Sequence, residues 1–192
     1  GADDKAKQKS RSLEAANASA PSSVDGAAGI AKTVLEEFKS GNFAKCKALI
    51  HPKYGFYMVG QPGAYSVPYH LNSFDEIFKK APWLKKGTEM YTNLQAEPIP
   101  EFTCEGDNYF AKEGCFITEV SGYRNLSELM KALRQAEFDE FGPDVIKRAS
   151  QIEKLIKVEV VETKSGIAYY YGQEAGKWYL FVIDTAQYGC SA

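Results

Sequence analysis

The sequence predicts an α+β fold in which a curved antiparallel sheet carries helices on one of its faces. Three observations support this prediction. Helical patterns dominate the first part of the chain, isolated strand-like runs follow, and three strands with short polar connections close it. Strands and helices in regular alternation would instead favour a wound parallel sheet. With 192 residues, the chain is long enough for one domain with a sizeable core.

The first helix is predicted over residues 24–41, because apolar side chains recur on one face and Gly41 ends the pattern. Asn42 is expected to cap a short second helix, which Pro52 prevents from continuing. The positions expected to face the core in this pair are Ile30, Val34, Leu35, Phe38, Phe43, Cys46, Leu49 and Ile50.

Both histidines lie in the segment LIHPKYGFYMVGQPGAYSVPYHL, residues 49–71. His51 is expected to have a structural role at the end of a helix. Residues 54–59 are mostly aromatic or aliphatic and predict a strand. Residues 61–71 contain two prolines and a glycine and predict a loop at the rim of the sheet.

A third helix is predicted after Ser73, because Ser73 and Glu76 have the spacing of a capping box. The stretch KKAPWLKK, which contains Trp83, is either a solvated helix end or a contact for an anionic partner or membrane surface. Residues 102–104 and 115–120 predict two short strands.

Two further helices are predicted near 124–155, one capped by Asn125 and one after Gly142-Pro143. The chain closes with the strands IKVEVVE, IAYYYG and KWYLFVIDT. Their short connections, TKSG and QEAG, predict an antiparallel meander. Strict alternation in the last strand places four side chains on one face: Trp178, Leu180, Val182 and Asp184.

Residues 1–23 are rich in alanine and serine, contain no aromatic residue and predict a polar tether, with a docked helix expected over 3–16. The domain itself is expected over 24–192. A removed secretory or lipoprotein signal before Gly1 is one explanation of this tether, and a plain cytosolic tail is the other. No apolar run approaches the roughly 20 residues of a membrane helix. The expected membrane contact is therefore a lipid anchor upstream of residue 1.

The net charge of -2 argues against a nucleic-acid partner. The cysteines form no C-x-x-C pair, and neither histidine lies near a cysteine pair in a ligand-like spacing, so no metal or other cofactor is expected. We expect at most one disulfide, which joins Cys104 to Cys115 or to Cys190. Cys46 is expected to be a small buried hydrophobe.

The stretch FKSGNFAKCKALIHP resembles the opening of the nuclear transport factor 2-like (cystatin-like cone) superfamily, where a helix pair leads into the first strand. The stretch GKWYLFVIDTAQYGCSA resembles its last strand. The matching ends cover residues 24–60 and 155–192, and the helices near 124–155 are expected to be an insertion. The resemblance, closest to secreted Bacteroidetes proteins, implies a cone whose mouth holds a ligand and a periplasmic or cell-surface location.

The superfamily contains binding modules as well as polyketide cyclases and dehydratases, so this resemblance is compatible with more than one function. The first hypothesis is a non-catalytic module for a small apolar or sugar-like ligand. Its expected contacts are Tyr57, Tyr65, Tyr69, His70, Tyr169 and Tyr171. The alternative is a small isomerase, dehydratase or cyclase in which Asp184, with a raised pKa, and His70 act as acid and base. A second alternative is an oligomerisation module that forms a homodimer through the open sheet face.

Overall fold

The chain forms a seven-stranded mixed sheet with helices packed against both faces. The computed structural model describes residues 22–190. The helix expected over 3–16, and all of the predicted tether except Ser22 and Ser23, lie outside the described residues. None of the helices described between residues 22 and 190 combines the length and the hydropathy that a membrane-spanning segment needs.

Helix α1 (Ser23–Ser40) confirms the first predicted helix. It begins where the Ser22 hydroxyl accepts the N–H of Asp25 at 3.1 Å. It ends at Gly41, whose left-handed backbone, with φ of 79°, lets its N–H donate to the carbonyl of Glu37. These are the usual chemical signals for the two ends of a helix. Five side chains of α1 are fully buried against the sheet: Ala27, Ala31, Val34, Leu35 and Phe38.

Helix α2 (Ala44–Lys47) is capped mainly by a side chain from α1 rather than by Asn42. The Glu37 carboxylate accepts the N–H groups of Lys45 and Cys46, each at 2.6 Å. The side-chain oxygen of Asn42 lies 3.4 Å from the nitrogen of Ala44 and makes the longer contact. A carboxylate is favourable at the positive end of a helix, so Glu37 fixes α2 against α1.

Strands β1 (Phe56–Gly60) and β2 (Val67–Leu71) form an antiparallel hairpin at one edge of the sheet. The prediction of a loop over 61–71 is therefore wrong beyond Ser66. Pro68 is compatible with strand structure here because β2 is an edge strand. The register places Tyr57 opposite His70 and Met58 opposite Tyr69.

Short elements connect this hairpin to the second half of the chain. A 3₁₀ turn at Phe74–Glu76 leads into α3 (Ile77–Lys80), and a second 3₁₀ turn covers Pro82–Lys86. The predicted capping box is present, since the Glu76 carboxylate accepts the N–H of Ser73 at 3.0 Å.

Strands β3 (Leu94–Gln95) and β4 (Cys115–Glu119) follow. The strand predicted at 102–104 is reduced to a single bridge between Phe102 and Phe110.

The second half of the chain confirms the predicted order of two helices followed by three strands, although Arg124 rather than Asn125 occupies the N-cap position of the first helix. These elements are α4 (Asn125–Gln135), α5 (Pro143–Glu153), β5 (Ile156–Glu162), β6 (Ile167–Glu174) and β7 (Lys177–Asp184). The three strands pair as the expected antiparallel meander.

The strand order is β2-β1-β7-β6-β5-β4-β3. The prediction of a purely antiparallel sheet is wrong in two places, because β1 runs parallel to β7 and β3 runs parallel to β4. Parallel neighbours require long connections through the rest of the fold. No local pattern in the sequence marks such a pairing.

Each face of the sheet has its own hydrophobic core. Helices α1 to α3 cover the first face, and α4 and α5 cover the second. The prediction of helices on one face is therefore wrong. The helices near 124–155 bury five side chains on the second face: Leu126, Met130, Leu133, Ala149 and Ile152. Pairing of two copies through an open sheet face stays a prediction.

Two β-bulges lie side by side in the meander, at Lys157 in β5 and at Phe181 in β7. An extra residue bends a strand and reverses the face on which the following side chains lie. Leu180 consequently belongs to the first core, whereas Val182 belongs to the second and Asp184 lies on the same side as Val182. The single face predicted for the last strand is therefore wrong.

His51 has the predicted structural role, although through different contacts. Its side chain is buried, and its Nδ1 accepts the N–H groups of Lys53 and Tyr54, each at 3.1 Å. Since Nδ1 is an acceptor, the proton lies on Nε2, which donates to a Glu174 oxygen 2.8 Å away. His51 thus closes the turn before β1 instead of binding the last helix carbonyls.

A disulfide joins Cys104 to Cys190, and Cys46 and Cys115 are buried free thiols. Cys190 is thus the partner of Cys104 in the structure, while Cys115 lies within β4. Burial raises the pKa of the Cys115 thiol to about 12. A thiol with so high a pKa is a poor nucleophile at neutral pH.

Candidate functional site

Three of the tyrosines predicted to contact a ligand are packing residues. Tyr169 and Tyr171 are fully buried in the first core, and Tyr57 is almost fully buried in the second. The ring of Tyr169 lies edge-on to that of Phe38, with centroids 5.1 Å apart. Side chains therefore fill the space beneath α1 where the resemblance implied a ligand. A ligand could reach these three tyrosines only if a core opened.

The Tyr169→Phe and Tyr171→Phe variants are each expected to keep the free energy of unfolding or raise it by up to about 1 kcal/mol. Neither hydroxyl has a hydrogen-bond partner among the described residues. Tyr170→Phe is the matched control on the same strand, because its hydroxyl lies 2.6 Å from a Glu159 oxygen. It is expected to lose about 1–2 kcal/mol. Urea denaturation measures all three, and destabilisation of Tyr171→Phe equal to that of Tyr170→Phe would contradict the packing role.

His70 is exposed on the edge strand β2 and is bound to the backbone. Its Nε2 donates to the carbonyl of Tyr54 at 2.8 Å, and its ring centroid lies 5.0 Å from that of Tyr57. The imidazole therefore ties β2 to the turn before β1.

Asp184 is buried at the end of β7. One carboxylate oxygen accepts the N–H groups of Ala186 and Gln187, each at 2.9 Å. Burial raises the pKa of the Asp184 carboxyl, while these backbone hydrogen bonds act in the opposite direction. Asp184 lines a cavity of about 220 Å³, and His70 is not among the described residues around it. The structure therefore does not bring the predicted acid and base together.

The Asp184→Asn variant is expected to be more stable than the wild type at pH 7. Ionising Asp184 costs more free energy in the folded protein than in the unfolded chain, because burial raises its folded-state pKa. This cost lowers the free energy of unfolding as pH rises from the unfolded-state pKa through the folded-state pKa. Asparagine stays neutral and keeps an oxygen for both N–H groups. Thermal unfolding between pH 3 and 8 should show the advantage shrinking as pH falls towards the pKa of an unfolded aspartate, about 3.9. A variant less stable than the wild type at pH 7 would contradict this explanation.

A cleft of about 420 Å³ opens on the first face where β1 and β7 end, and we call it the rim cleft. Trp83 and Tyr69 supply its aromatic surface, and the buried Met58 and Ile167 lie at its apolar end. Polar groups complete the lining: the Gln61 amide, the Lys80 ammonium and the hydroxyls of Ser165 and Thr185.

Local structure determines how these side chains are presented. Pro82 opens a 3₁₀ turn that buries Leu84 completely and leaves Trp83 44% exposed. The ammonium of Lys80 lies over the ring of Tyr69, 4.5 Å from its centroid. The N–H and hydroxyl of Thr185 both donate to the carbonyl of Val59, so one wall is tied to β1.

Comparison with family models, curated proteins and solved structures gives no match. The function is therefore inferred from the geometry of the site.

Of the predicted contacts, the rim cleft contains only Tyr69. Tyr65 is 52% exposed, and its ring lies 5.3 Å from that of Phe138 in the α4–α5 connection. Trp83 was visible in the sequence only as the centre of a basic stretch. The remaining polar residues of the rim cleft come from segments far apart in the chain and form no recognisable sequence motif. Their proximity therefore could not be predicted from the sequence.

Proposed function

We propose that the protein is a non-catalytic binding module whose rim cleft takes a saccharide. The observation that carries the proposal is that Trp83 and Tyr69 lie in one concave site surrounded by polar groups. The C–H face of a sugar ring packs against aromatic side chains, and its hydroxyls bond to amides, hydroxyls and ammonium groups. An entirely apolar ligand would instead desolvate the Gln61 amide and the Lys80 ammonium without replacing their bonds to water.

The size of the rim cleft supports a small saccharide. Its volume of about 420 Å³ lies within the usual range for small-molecule sites, roughly 300–1,000 Å³. The cleft is open to solvent on the Trp83 side, which suits one or two sugar units of a longer chain.

Two observations favour binding over catalysis. The described residues that line the rim cleft include no carboxylate and no histidine, the usual groups for proton transfer at neutral pH. Asp184 and His70 lie on different strands, and each is occupied by backbone hydrogen bonds.

The proposal includes a cone of the nuclear transport factor 2-like kind and export to the periplasm or cell surface. The adjacent bulges at Lys157 and Phe181 support the cone, because bulges bend a sheet. The exposed disulfide between Cys104 and Cys190 supports export, since such bonds persist mainly in oxidising compartments.

Calorimetric titration with neutral and acidic mono- and disaccharides tests the proposed ligand class. Trp83→Ala and Tyr69→Ala are each expected to weaken binding at least about tenfold, or 1.4 kcal/mol. Tyr109→Ala is the matched control, because Tyr109 is 48% exposed and is not part of the rim cleft. Absence of binding across the panel, or equal loss in the Tyr109 variant, would refute the proposal.

A further inference from the structure

A second cleft lies on the second face of the sheet, between the start of α4, the end of α5 and the bulge in β5. We call it the basic cleft, and its volume is about 590 Å³. Four cationic side chains surround it: Arg124, Lys131, Lys154 and Lys157. They come from separate parts of the fold, since Arg124 precedes α4, Lys131 lies within it, Lys154 follows α5 and Lys157 is the bulged residue of β5.

The lining of the basic cleft carries more positive than negative charge. All four cations are exposed, and none forms an ion pair within 4.0 Å among residues 22–190. The only acidic residue described in the lining, Glu153, is buried, and its carboxylate accepts the N–H of Ser127 at 3.2 Å. Four cations against one carboxylate leave an excess of three positive charges, although the whole chain carries a net charge of -2.

Two other groups beside the cleft do not add to this charge. Tyr123 is only 6% exposed, and its hydroxyl, which has no hydrogen-bond partner among the described residues, is buried like those of Tyr169 and Tyr171. The positive end of helix α4 is already occupied, because the N–H of Ser127 in its first turn donates to the Glu153 carboxylate.

We propose that the basic cleft binds a small organic anion that carries a phosphate or sulfate ester. A tetrahedral ester presents several acceptor oxygens at once, which suits cations that converge from different directions. The planar guanidinium of Arg124 provides two parallel donors for such a group. This inference is independent of the saccharide proposed for the rim cleft, because the two clefts lie on opposite faces of the sheet.

The shape of the site favours a small molecule over a polymer or a membrane, because the cations surround a concavity rather than form a flat strip. A neighbouring hollow of about 460 Å³ between α4 and α5 shares Lys131 and is lined in part by Pro143 and Ile146. It offers apolar surface for the organic part of the ligand. Esters are therefore expected to bind more tightly than the inorganic ions.

Calorimetry at an ionic strength of about 20 mM, where screening is weak, tests the site. The probes are inorganic phosphate, inorganic sulfate, phenyl phosphate and phenyl sulfate, and the last two distinguish phosphate from sulfate esters without offering a sugar to the rim cleft. The double variant Arg124→Gln/Lys131→Gln is expected to weaken ester binding at least about tenfold. The control Lys32→Gln/Lys39→Gln removes the same charge from exposed positions on α1 and is expected to change it less than about twofold.

In the nitrogen–proton spectrum of the wild type, the ester should move the amide signals of Gly122, Ser127 and Lys157, and Trp83→Ala should leave ester binding unchanged. No binding of any probe by the folded protein would overturn the proposal. An equal loss in the control variant would also overturn it. Binding of duplex DNA or anionic vesicles through these cations, without ester binding, would assign the surface to a polymer or a membrane instead.

Discussion

Replacing Glu162 with alanine is expected to lower the free energy of unfolding by roughly 3 kcal/mol or more. Glu162 is fully buried at the end of β5, and its carboxylate accepts the N–H groups of Tyr91, Lys164 and Ser165 at 2.8–3.0 Å. The Ser165 hydroxyl donates to it as well. Alanine would leave all these donors unpaired, and both the β5–β6 turn and the segment around Tyr91 would lose their common acceptor. Urea denaturation followed by circular dichroism measures the loss.

Two variants separate this contribution from a simple change of charge. Glu162→Gln keeps one acceptor oxygen but turns an amide N–H₂ group towards the donors, so an intermediate loss is expected. Glu89→Ala removes a surface carboxylate 2.7 Å from the Lys164 ammonium and is expected to change stability little. A Glu162→Ala protein as stable as the wild type would show that other groups satisfy these donors.

Loss of the disulfide between Cys104 and Cys190 is expected to lower the free energy of unfolding by about 2–4 kcal/mol. The two cysteines are 86 positions apart, so the bond constrains a long segment of the unfolded chain. It also fixes the residues after β7, and Thr185 and Gly189 from this segment line the rim cleft. The Cys104→Ser/Cys190→Ser variant should therefore unfold at lower urea and bind saccharide more weakly.

Reduction provides an independent control for that variant. A thiol reductant should shift the unfolding curve of the wild type to that of the double variant and leave the variant unchanged. Cys46 and Cys115 contribute no further change, because both are free thiols already. An unfolding curve of the wild type that does not respond to complete reduction would contradict the stabilising role of this bond.

Local sequence signals predicted most elements of the fold. Gly41 after α1, the capping box at Ser73, and the meander all correspond to interactions between residues close in the chain. What the sequence could not predict depends on distant contacts. The parallel pairing of β1 with β7 and the cover of the second face by α4 and α5 have no local signal.

The errors in the predicted site have specific physical causes. Alternation assigned Asp184 to the face of Leu180, but the bulge at Phe181 places the two on opposite faces. Tyr169 and Tyr171 belong to an aromatic run on a strand, a pattern that is also typical of a ligand-binding surface. In the structure, α1 packs over their side chains. Of the predicted ligand contacts, only Tyr69 lines a cleft. Residues 67–71 pair with β1 as a strand instead of forming the predicted loop, and this strand places Tyr69 in the rim cleft.

Mapping of the saccharide site by nuclear magnetic resonance tests the proposed function most directly. In a titration of the labelled protein with the tightest saccharide of the panel, the amide signals of Gln61, Ser165 and Thr185 and the indole signal of Trp83 should move together. The indole of Trp178, which packs against the first core, should stay in place. Shifts confined to residues around the Asp184 cavity, with the Trp83 signal unchanged, would contradict binding in the rim cleft.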